Sequence, residues 1–229
     1  AWMGLGLGYV SGFDADEKNV AMNIYILMQG GLTLGAKDYY LNNDAATVAI
    51  REAYKTYLSK MFQLYGFSAD EAAKKASAVF LHETTLATFS KSRTELRDPQ
   101  ANYNKMTLAE FKENYPNIPL EALANAEGIK SEYLKEIIVG QPAFFAGYDK
   151  VAAAECAGTL KALMEWDIIS SSASYLSDEI REARFEFFGK TMSGRKEDYP
   201  LWKRATTQVE AQLGEALGRI YCKRYFPES

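Results

Sequence analysis

A chain of 229 residues with 48% hydrophobic and 24% charged residues has the composition of an ordinary globular protein and is long enough to bury a sizeable core. Its formal net charge of −4 argues against a nucleic-acid-binding protein, which usually carries an excess of basic residues on one face. No apolar run approaches the roughly 20 residues that a membrane-spanning helix needs.

The chain begins with a pattern typical of a β-hairpin. Residues 4–10, GLGLGYV, alternate glycine with larger residues, and residues 20–28, VAMNIYILM, are mostly apolar and rich in strand-forming types. The polar segment between them, GFDADEKN, predicts the turn. Residues 29–44 contain paired glycines and little periodicity, which predicts a loop.

Two long helices are predicted next. Asp44 is a suitable N-cap for a helix that ends at Gly66, because apolar residues recur between them at helical spacing. Ser68 and Glu71 have the spacing of a capping box, which predicts a second helix that runs to about Arg93.

The rest of the chain predicts shorter helices separated by breaks. Residues 97–106 form a predicted loop, because Pro99 cannot continue a helix, and Thr107 with Glu110 predicts a capped short helix after it. Helical patterns then occupy residues 120–140, 143–189 and 200–225, with a loop at 193–200. The sequence therefore predicts a mainly α fold: a single irregular multi-helix domain over residues 1–229 with a short N-terminal β-hairpin.

The stretch LHETT, residues 81–85, begins like the zinc-protease signature H-E-x-x-H. That signature needs two histidines four residues apart, so that both imidazoles face one metal ion. Leu86 stands where the second histidine would be, and His82 is the only histidine in the chain. His82 also lies three residues after Val79 and four before Leu86, on or beside an apolar helix stripe. The spacing predicts a histidine in or at the rim of the core.

Two further patterns fail as ligand sites. GLGLGYVSG has neither the G-x-G-x-x-G spacing nor a following Lys-Ser/Thr, so its glycines favour close packing over phosphate binding. Asp14, Asp16 and Glu17 suggest a calcium loop, but an EF-hand would need an oxygen ligand at Lys18 and glycine at Asn19. An ordinary solvated hairpin turn is the better interpretation.

The nucleophiles and carboxylates show no catalytic spacing. The serines of SSSASYLSD, residues 170–178, have no histidine for a Ser-His-Asp triad, and small residues there favour close helix packing. Cys156 and Cys222 are too few for a disulfide scaffold, and we expect free, buried thiols, although a pair with His82 stays open. Thirty carboxylates leave room for an acid–base pair, but their spacing singles out none.

Several motifs resemble the neprilysin and endothelin-converting-enzyme family of zinc endopeptidases. QGGLTLGAKDYYL resembles its Q-x-G-L-x-L-x-x-x-D-Y-Y-L pattern, and LRDPQANYNKMTLAEF resembles its R-D-P-x-x-x-Y-N-K-M pattern. SYLSDEIREARFEFFGKTMSG, WKR and LGEALGRIYCKRYF follow in the family's order, so the resemblance covers nearly the whole chain. The residues that match most specifically are Asp38, Tyr39, Tyr40, Arg97, Asp98, Pro99, Tyr103, Asn104 and Lys105.

The resemblance implies the amino-terminal, mostly helical part of such an enzyme. Only two cysteines and no N-x-S/T sequon occur, which suggests a bacterial member instead of an animal ectodomain. That part caps a catalytic domain in the same polypeptide, and the two enclose a cavity that admits peptides. The family's zinc ligands lie in the catalytic domain, so we expect no cofactor in this chain and zinc in the full-length enzyme. An extracytoplasmic location, periplasmic or at the cell surface, is also implied.

Two interpretations of function follow, with a third that is weaker. The first is a non-catalytic cap that encloses the peptide-cleaving chamber and limits substrate size; its isolated form would expose an apolar docking face and self-associate. The second is a self-contained helical module that binds peptides or proteins. The third is a hydrolase with paired carboxylates. Within the motifs, Arg97, Asp98 and Asn104 are interpreted as a structural knot between helices, with substrate contact as the alternative.

Overall fold

The computed structural model describes residues 8–226 and divides the chain after Arg184 into two compact units. The larger unit contains a four-stranded sheet with helices, and the smaller unit is helical. The mainly α fold with an N-terminal hairpin is confirmed. A single cap-type domain over residues 1–229 stays a prediction.

The sheet of the larger unit has the strand order β1-β2-β4-β3. Its strands are β1 (Tyr9–Asp16), β2 (Asn19–Gln29), β3 (Lys105–Thr107) and β4 (Glu136–Val139). β1 and β2 form the predicted hairpin, but the turn is shorter than predicted, because the ladder continues to Asp16 and Asn19. Residues 4–7 of the predicted first strand lie outside the described residues.

Strands β3 and β4 were not predicted, and the helical interpretation of residues 120–140 is wrong for β4. β4 pairs in parallel with β2 and antiparallel with β3. Ile137, Ile138 and Val139 are all buried, so β4 has the continuous apolar pattern of a strand covered on both faces. Periodicity alone does not separate so short an apolar run from a helix.

The helices of the larger unit vary in length. They are α1 (Asp38–Leu41), α2 (Ala45–Leu64), α3 (Ala69–Phe89), α4 (Leu108–Asn114), α5 (Leu120–Ala126), α6 (Pro142–Ala154), α7 (Ala157–Ser172) and α8 (Asp178–Arg184), with 3₁₀ turns at Glu95–Arg97 and Ser131–Leu134. α1 was predicted as loop. The predicted helical stretch 143–189 is interrupted between α6, α7 and α8.

The predicted helix caps are present. Asp44 accepts a hydrogen bond from the Thr47 backbone N–H, and capping boxes form at Ser68 and at Thr107. α3 ends at Phe89 instead of Arg93, because the Ser90 backbone is extended. Local side-chain chemistry therefore fixes the starts of α2, α3 and α4 as the sequence indicates.

The core of the larger unit lies between one face of the sheet and the helices α4 to α6. Its largest fully buried members include Tyr25, Leu27, Phe111, Phe144 and Phe145. Burial of side chains of this size is the main favourable term in folding, at about 1.5–3 kcal/mol for each apolar side chain.

The smaller unit contains a π-helical segment, Phe185–Met192, and α9, Leu201–Tyr225. The predicted loop at 193–200 separates them. α9 has a kink at Leu213, where the backbone leaves helical geometry. Within residues 8–226, no helix is long and apolar enough to cross a membrane.

Gly147→Ala is expected to destabilise the chain. Gly147 is buried in α6, and a Cβ added there would overlap the ring of Phe89 on α3. Alanine normally favours a helix over glycine by about 1 kcal/mol, but overpacking typically costs about 1–3 kcal/mol and should win here. The change in the free energy of unfolding can be measured with urea.

Gly158→Ala on α7 is the matched control. An added Cβ there meets only the Cys156 sulfur, 3.8 Å away. We expect a neutral or slightly stabilising effect. Equal effects of the two substitutions would contradict close packing of α6 on α3.

Candidate functional site

His82 lies on α3 and is 8% exposed, with its Nδ1 atom 2.8 Å from Oε1 of Glu155. Leu86, at the position of the missing second histidine, is fully buried. Within residues 8–226, no group of three or more His, Cys, Asp or Glu side chains could hold a metal ion. The described donor set therefore does not fit zinc.

Glu83, the next residue on α3, is the centre of a buried polar cluster. Its Oε1 accepts a hydrogen bond from the Thr33 hydroxyl at 2.6 Å, and its Oε2 accepts one from Tyr40 at 2.6 Å and one from Tyr54 at 2.9 Å. Thr33 in turn accepts a 3.2 Å bond from Nε1 of Trp166. The carboxylate thus connects the loop after β2 with α1, α2 and α3, and through Thr33 with α7.

Two opposing effects set the protonation of this cluster. Burial raises the pKa of Glu83, while the hydroxyl groups of Thr33, Tyr40 and Tyr54 lower it, and the result is a pKa of about 7. Burial and the nearby Glu83 charge raise the pKa of both tyrosines, so their hydroxyls remain protonated donors. The cluster is enclosed, which favours a structural role over contact with a substrate.

Of the DYYL motif, only Tyr40 reaches this cluster. The Tyr40 hydroxyl also accepts a hydrogen bond from the Leu34 backbone N–H at 3.1 Å, and its carbonyl accepts one from Arg51 at 2.6 Å. Asp38 is exposed at the start of α1, and Tyr39 is half-buried. The motif therefore holds the loop after β2 against α2 through one of its residues.

The RDP motif lies at the surface, at the end of the first 3₁₀ turn. Asp98 Oδ1 accepts hydrogen bonds from the backbone N–H groups of Gln100 and Ala101, at 3.0 and 3.1 Å. Arg97 and Pro99 are exposed. Asp98 shapes this turn, as its residue type predicts.

The YNKM motif connects to the hairpin through Asp16, which is 3% exposed. Asp16 accepts hydrogen bonds from the Lys18 backbone N–H at 3.0 Å and the Tyr103 hydroxyl at 2.9 Å, and its Oδ2 lies 3.4 Å from Lys105 Nζ. These contacts lower the pKa of Asp16. Asn104 donates to the carbonyls of Ala101 and Gly140 and accepts from Val139 through its own carbonyl. Tyr40 thus lies in the Glu83 cluster, Tyr103 and Lys105 lie in the Asp16 cluster, and Asp98 shapes a separate surface turn.

Two glutamines, half-buried Gln29 and fully buried Gln141, join the end of β2 to its surroundings, and no sequence pattern indicated Gln141. Gln141 is fully buried; its Oε1 accepts from the Gln29 backbone N–H at 2.7 Å and its amide donates to Asn102 at 3.0 Å. The Gln29 side chain bonds both backbone groups of Lys91. Sequence reasoning missed Gln141, whose function depends on contacts distant in the chain.

Both cysteines are free thiols, as expected, but both are exposed, so the prediction of buried thiols is wrong. Cys156 is the N-cap of α7, where the Thr159 hydroxyl and nearby backbone N–H groups lower the pKa of the thiol. The contact partner of His82 is Glu155, where a Cys–His pair would need a cysteine.

An open groove of about 630 Å³ lies beside the hairpin. Its volume is within the range of about 300–1,000 Å³ that is usual for ligand sites. Its lining residues come from the hairpin and from the β3 and β4 region: Phe13, Asp16, Asn19, Met22, Asn23, Ile24, Lys105, Glu132, Tyr133, Lys135 and Glu136.

Comparison with known proteins gives a consistent result. The model of peptidase family M13 matches residues 2–229. Human endothelin-converting enzyme 1 is 27% identical over 223 residues, and the mouse enzyme is 29% identical over 229; each match covers 96% of this chain and 28% of that protein. The chain therefore spans less than a third of the length of these relatives.

Solved structures agree with the sequence matches. Zinc metalloprotease ZMP1 of Mycobacterium tuberculosis, in complex with an inhibitor, superposes with a TM-score of 0.91 at 27% identity, covering 97% of this chain and 34% of that one. PepO from Lactobacillus rhamnosis gives a TM-score of 0.79 at 19% identity, over 96% of this chain and 34% of that one, which supports the fold alone.

Glu83→Gln is expected to remove a pH dependence of stability. The pKa of Glu83 is about 7 in the folded chain and 4.5 for an ordinary glutamate, so the folded state binds this proton more tightly. The contribution of Glu83 to stability is then greatest below about pH 4.5 and falls by about 3 kcal/mol as the pH rises through 7. Urea unfolding of the wild-type chain and of Glu83→Gln, at several pH values and fixed ionic strength, measures this effect as the difference between their free energies of unfolding.

Tyr54→Phe provides a second variant. It removes one of the donors that lower the pKa of Glu83, so this pKa should rise in the folded chain. The loss of stability with rising pH should therefore continue to a higher pH than in the wild-type chain. A difference between wild type and Glu83→Gln that does not change with pH would contradict this account.

Proposed function

The chain belongs to peptidase family M13, and we propose that it is the non-catalytic cap part of a zinc endopeptidase of that family. The proposal rests on how much of this chain and how much of its relatives the sequence matches cover. The family match runs through residues 2–229, yet the chain corresponds to only 28% of the human relative. The described residues hold no metal-binding group, so the zinc of such an enzyme would be bound by the remainder of the polypeptide.

In this proposal the chain encloses the peptide-cleaving chamber and limits the size of substrates. Its partners would be the catalytic part of the same polypeptide and peptide substrates. The buried clusters at Glu83 and Asp16 support the proposal, because a wall that excludes large substrates must keep its shape. Zinc would supply a bound water of lowered pKa in the catalytic part. Family relatives also favour an extracytoplasmic location.

An apolar stripe on α9 supports docking to such a partner. Exposed Trp202 and Val209 are seven residues apart before the kink, and exposed Leu213, Leu217 and Tyr221 recur every four residues from the kink onward, so each part of α9 has an apolar side. A contiguous exposed apolar surface commonly marks an interaction site. In the isolated chain we expect the stripe to drive self-association.

A self-contained binding module is the second candidate, and the groove beside the hairpin favours it. The gene sequence on both sides of the 229 residues separates the two candidates. An H-E-x-x-H motif downstream in the same reading frame supports the cap, and a stop codon directly after Ser229 supports the module.

The chain alone is expected neither to retain zinc stoichiometrically nor to cleave peptides. The physical reason is the absence of a ligand group among the described residues. Metal analysis after dialysis, together with a peptide-cleavage assay in the presence of zinc, checks this. One tightly held zinc ion per chain, or cleavage that follows added zinc, would overturn the non-catalytic assignment.

The double substitution Leu217→Glu and Ile220→Glu is expected to reduce self-association. Both side chains are exposed on α9, Leu217 within the apolar stripe and Ile220 beside it three residues further on, so two carboxylates would interrupt the stripe. Light scattering and binding of a hydrophobic dye measure the effect. The control, Thr207→Glu with Ala211→Glu, adds the same charge before the kink, on the side of α9 opposite Val209. A monomeric wild-type chain that binds no dye would contradict the docking surface.

A further inference from the structure

One segment of β2 has a free edge next to the groove. Asn19 pairs with Asp16 and Asn23 pairs with Ala15, so the three residues between them have no partner in β1. On the other side, the ladder to β4 begins only at Tyr25. Within the described part of the chain, residues 20–22 therefore form a bulge of β2 without a ladder partner on either side, and the edge of β2 that faces β4 is free up to Tyr25.

This edge has one protective device, the bulge at residues 20–22, but lacks the others that usually protect free strand edges. Proteins commonly place lysine, proline or a covering segment there, because unpaired backbone groups attract other strands. Residues 20–24 read VAMNI and contain neither proline nor a charge. Val20 and Met22 are 79% and 59% exposed, so the segment is open to a ligand.

The walls of the groove are held in place before any ligand binds. Phe13 packs edge-on against Tyr25 at 5.1 Å and against Tyr133 at 6.5 Å, measured between ring centroids. On the polar side, Lys105 Nζ lies 2.9 Å from Glu136 Oε2 and also bonds Asp16. A preformed site loses less conformational entropy on binding than a mobile one.

We propose that this groove binds an extended peptide by strand addition to residues 20–23 of β2. Main-chain hydrogen bonds to the free edge would supply affinity, and alternate side chains of the peptide would face the groove. Phe13, Met22 and Tyr133 provide an apolar surface for one of them. The site concerns this chain alone, so its test is independent of the proposed peptidase function.

Charge favours a basic peptide. The groove is lined by three carboxylates, Asp16, Glu132 and Glu136, against two lysines, and because Lys105 is shared between Asp16 and Glu136, one negative charge remains in excess. The suitable ligand class is therefore an extended segment that alternates apolar and basic residues.

The test uses the whole chain and a fluorescein-labelled heptapeptide, Lys-Val-Lys-Phe-Lys-Val-Lys, followed by fluorescence anisotropy. We expect saturable binding that Met22→Lys weakens by about tenfold or more, through steric and charge effects in the groove. Val10→Lys is the matched control, since Val10 is 60% exposed on β1 and does not line the groove. It adds the same charge and should change the affinity by less than about twofold.

A second peptide tests the backbone contacts. The same sequence with alternate backbone nitrogens methylated cannot donate to the strand edge, and loss of two hydrogen bonds should weaken binding by about tenfold or more. The proposal is overturned if the unmodified peptide does not bind, if the methylated peptide binds equally, or if Val10→Lys and Met22→Lys have equal effects. The last result would indicate general charge attraction.

Discussion

The fold of the larger unit depends on one buried carboxylate. Removing Glu83 from water is costly unless its oxygens are fully hydrogen-bonded, and three hydroxyl groups from the loop after β2, α1 and α2 meet this requirement. These groups can converge only if the loop and both helices are correctly placed around α3. A half-satisfied cluster would be worse than an apolar core, so this interaction favours a single arrangement of the surrounding elements.

The Asp16 cluster stabilises the turn of the hairpin in the sheet. A hairpin that extends beyond its neighbouring strands would be mobile, because few side chains cover its turn. Tyr103 and Lys105 hold the Asp16 carboxylate from β3 and the segment before it, so the turn is fixed at a distance from the core. Asp16 and Lys105 also line the adjacent groove, so the matched YNKM motif contributes one wall of it.

The sequence predicted features that neighbouring residues determine, and it missed features that depend on contacts between residues distant in the chain. The N-caps at Asp44 and Ser68 were predictable, because a cap is determined within three residues. β4 was not, because Ile137–Val139 becomes a strand only by pairing with β2, far earlier in the chain. Helical spacing placed Glu83 near the buried side of α3, but no pattern in the sequence reveals that Thr33, Tyr40 and Tyr54 converge on it. The RDP and YNKM motifs were visible as a resemblance, while the placement of Tyr103 and Lys105 in a second cluster, apart from Tyr40, required the fold.

His82 and Glu83 are neighbours on α3 that bond in different directions. His82 contacts Glu155 at the end of α6, and Glu83 contacts Tyr40 and Tyr54 on α1 and α2. Rotating α3 about its axis to shorten one contact would lengthen the other. The two contacts together therefore define the rotation of α3 about its own axis. The two residues that resemble half of a zinc-binding signature thus connect α3 to α6 on one side and to α1 and α2 on the other.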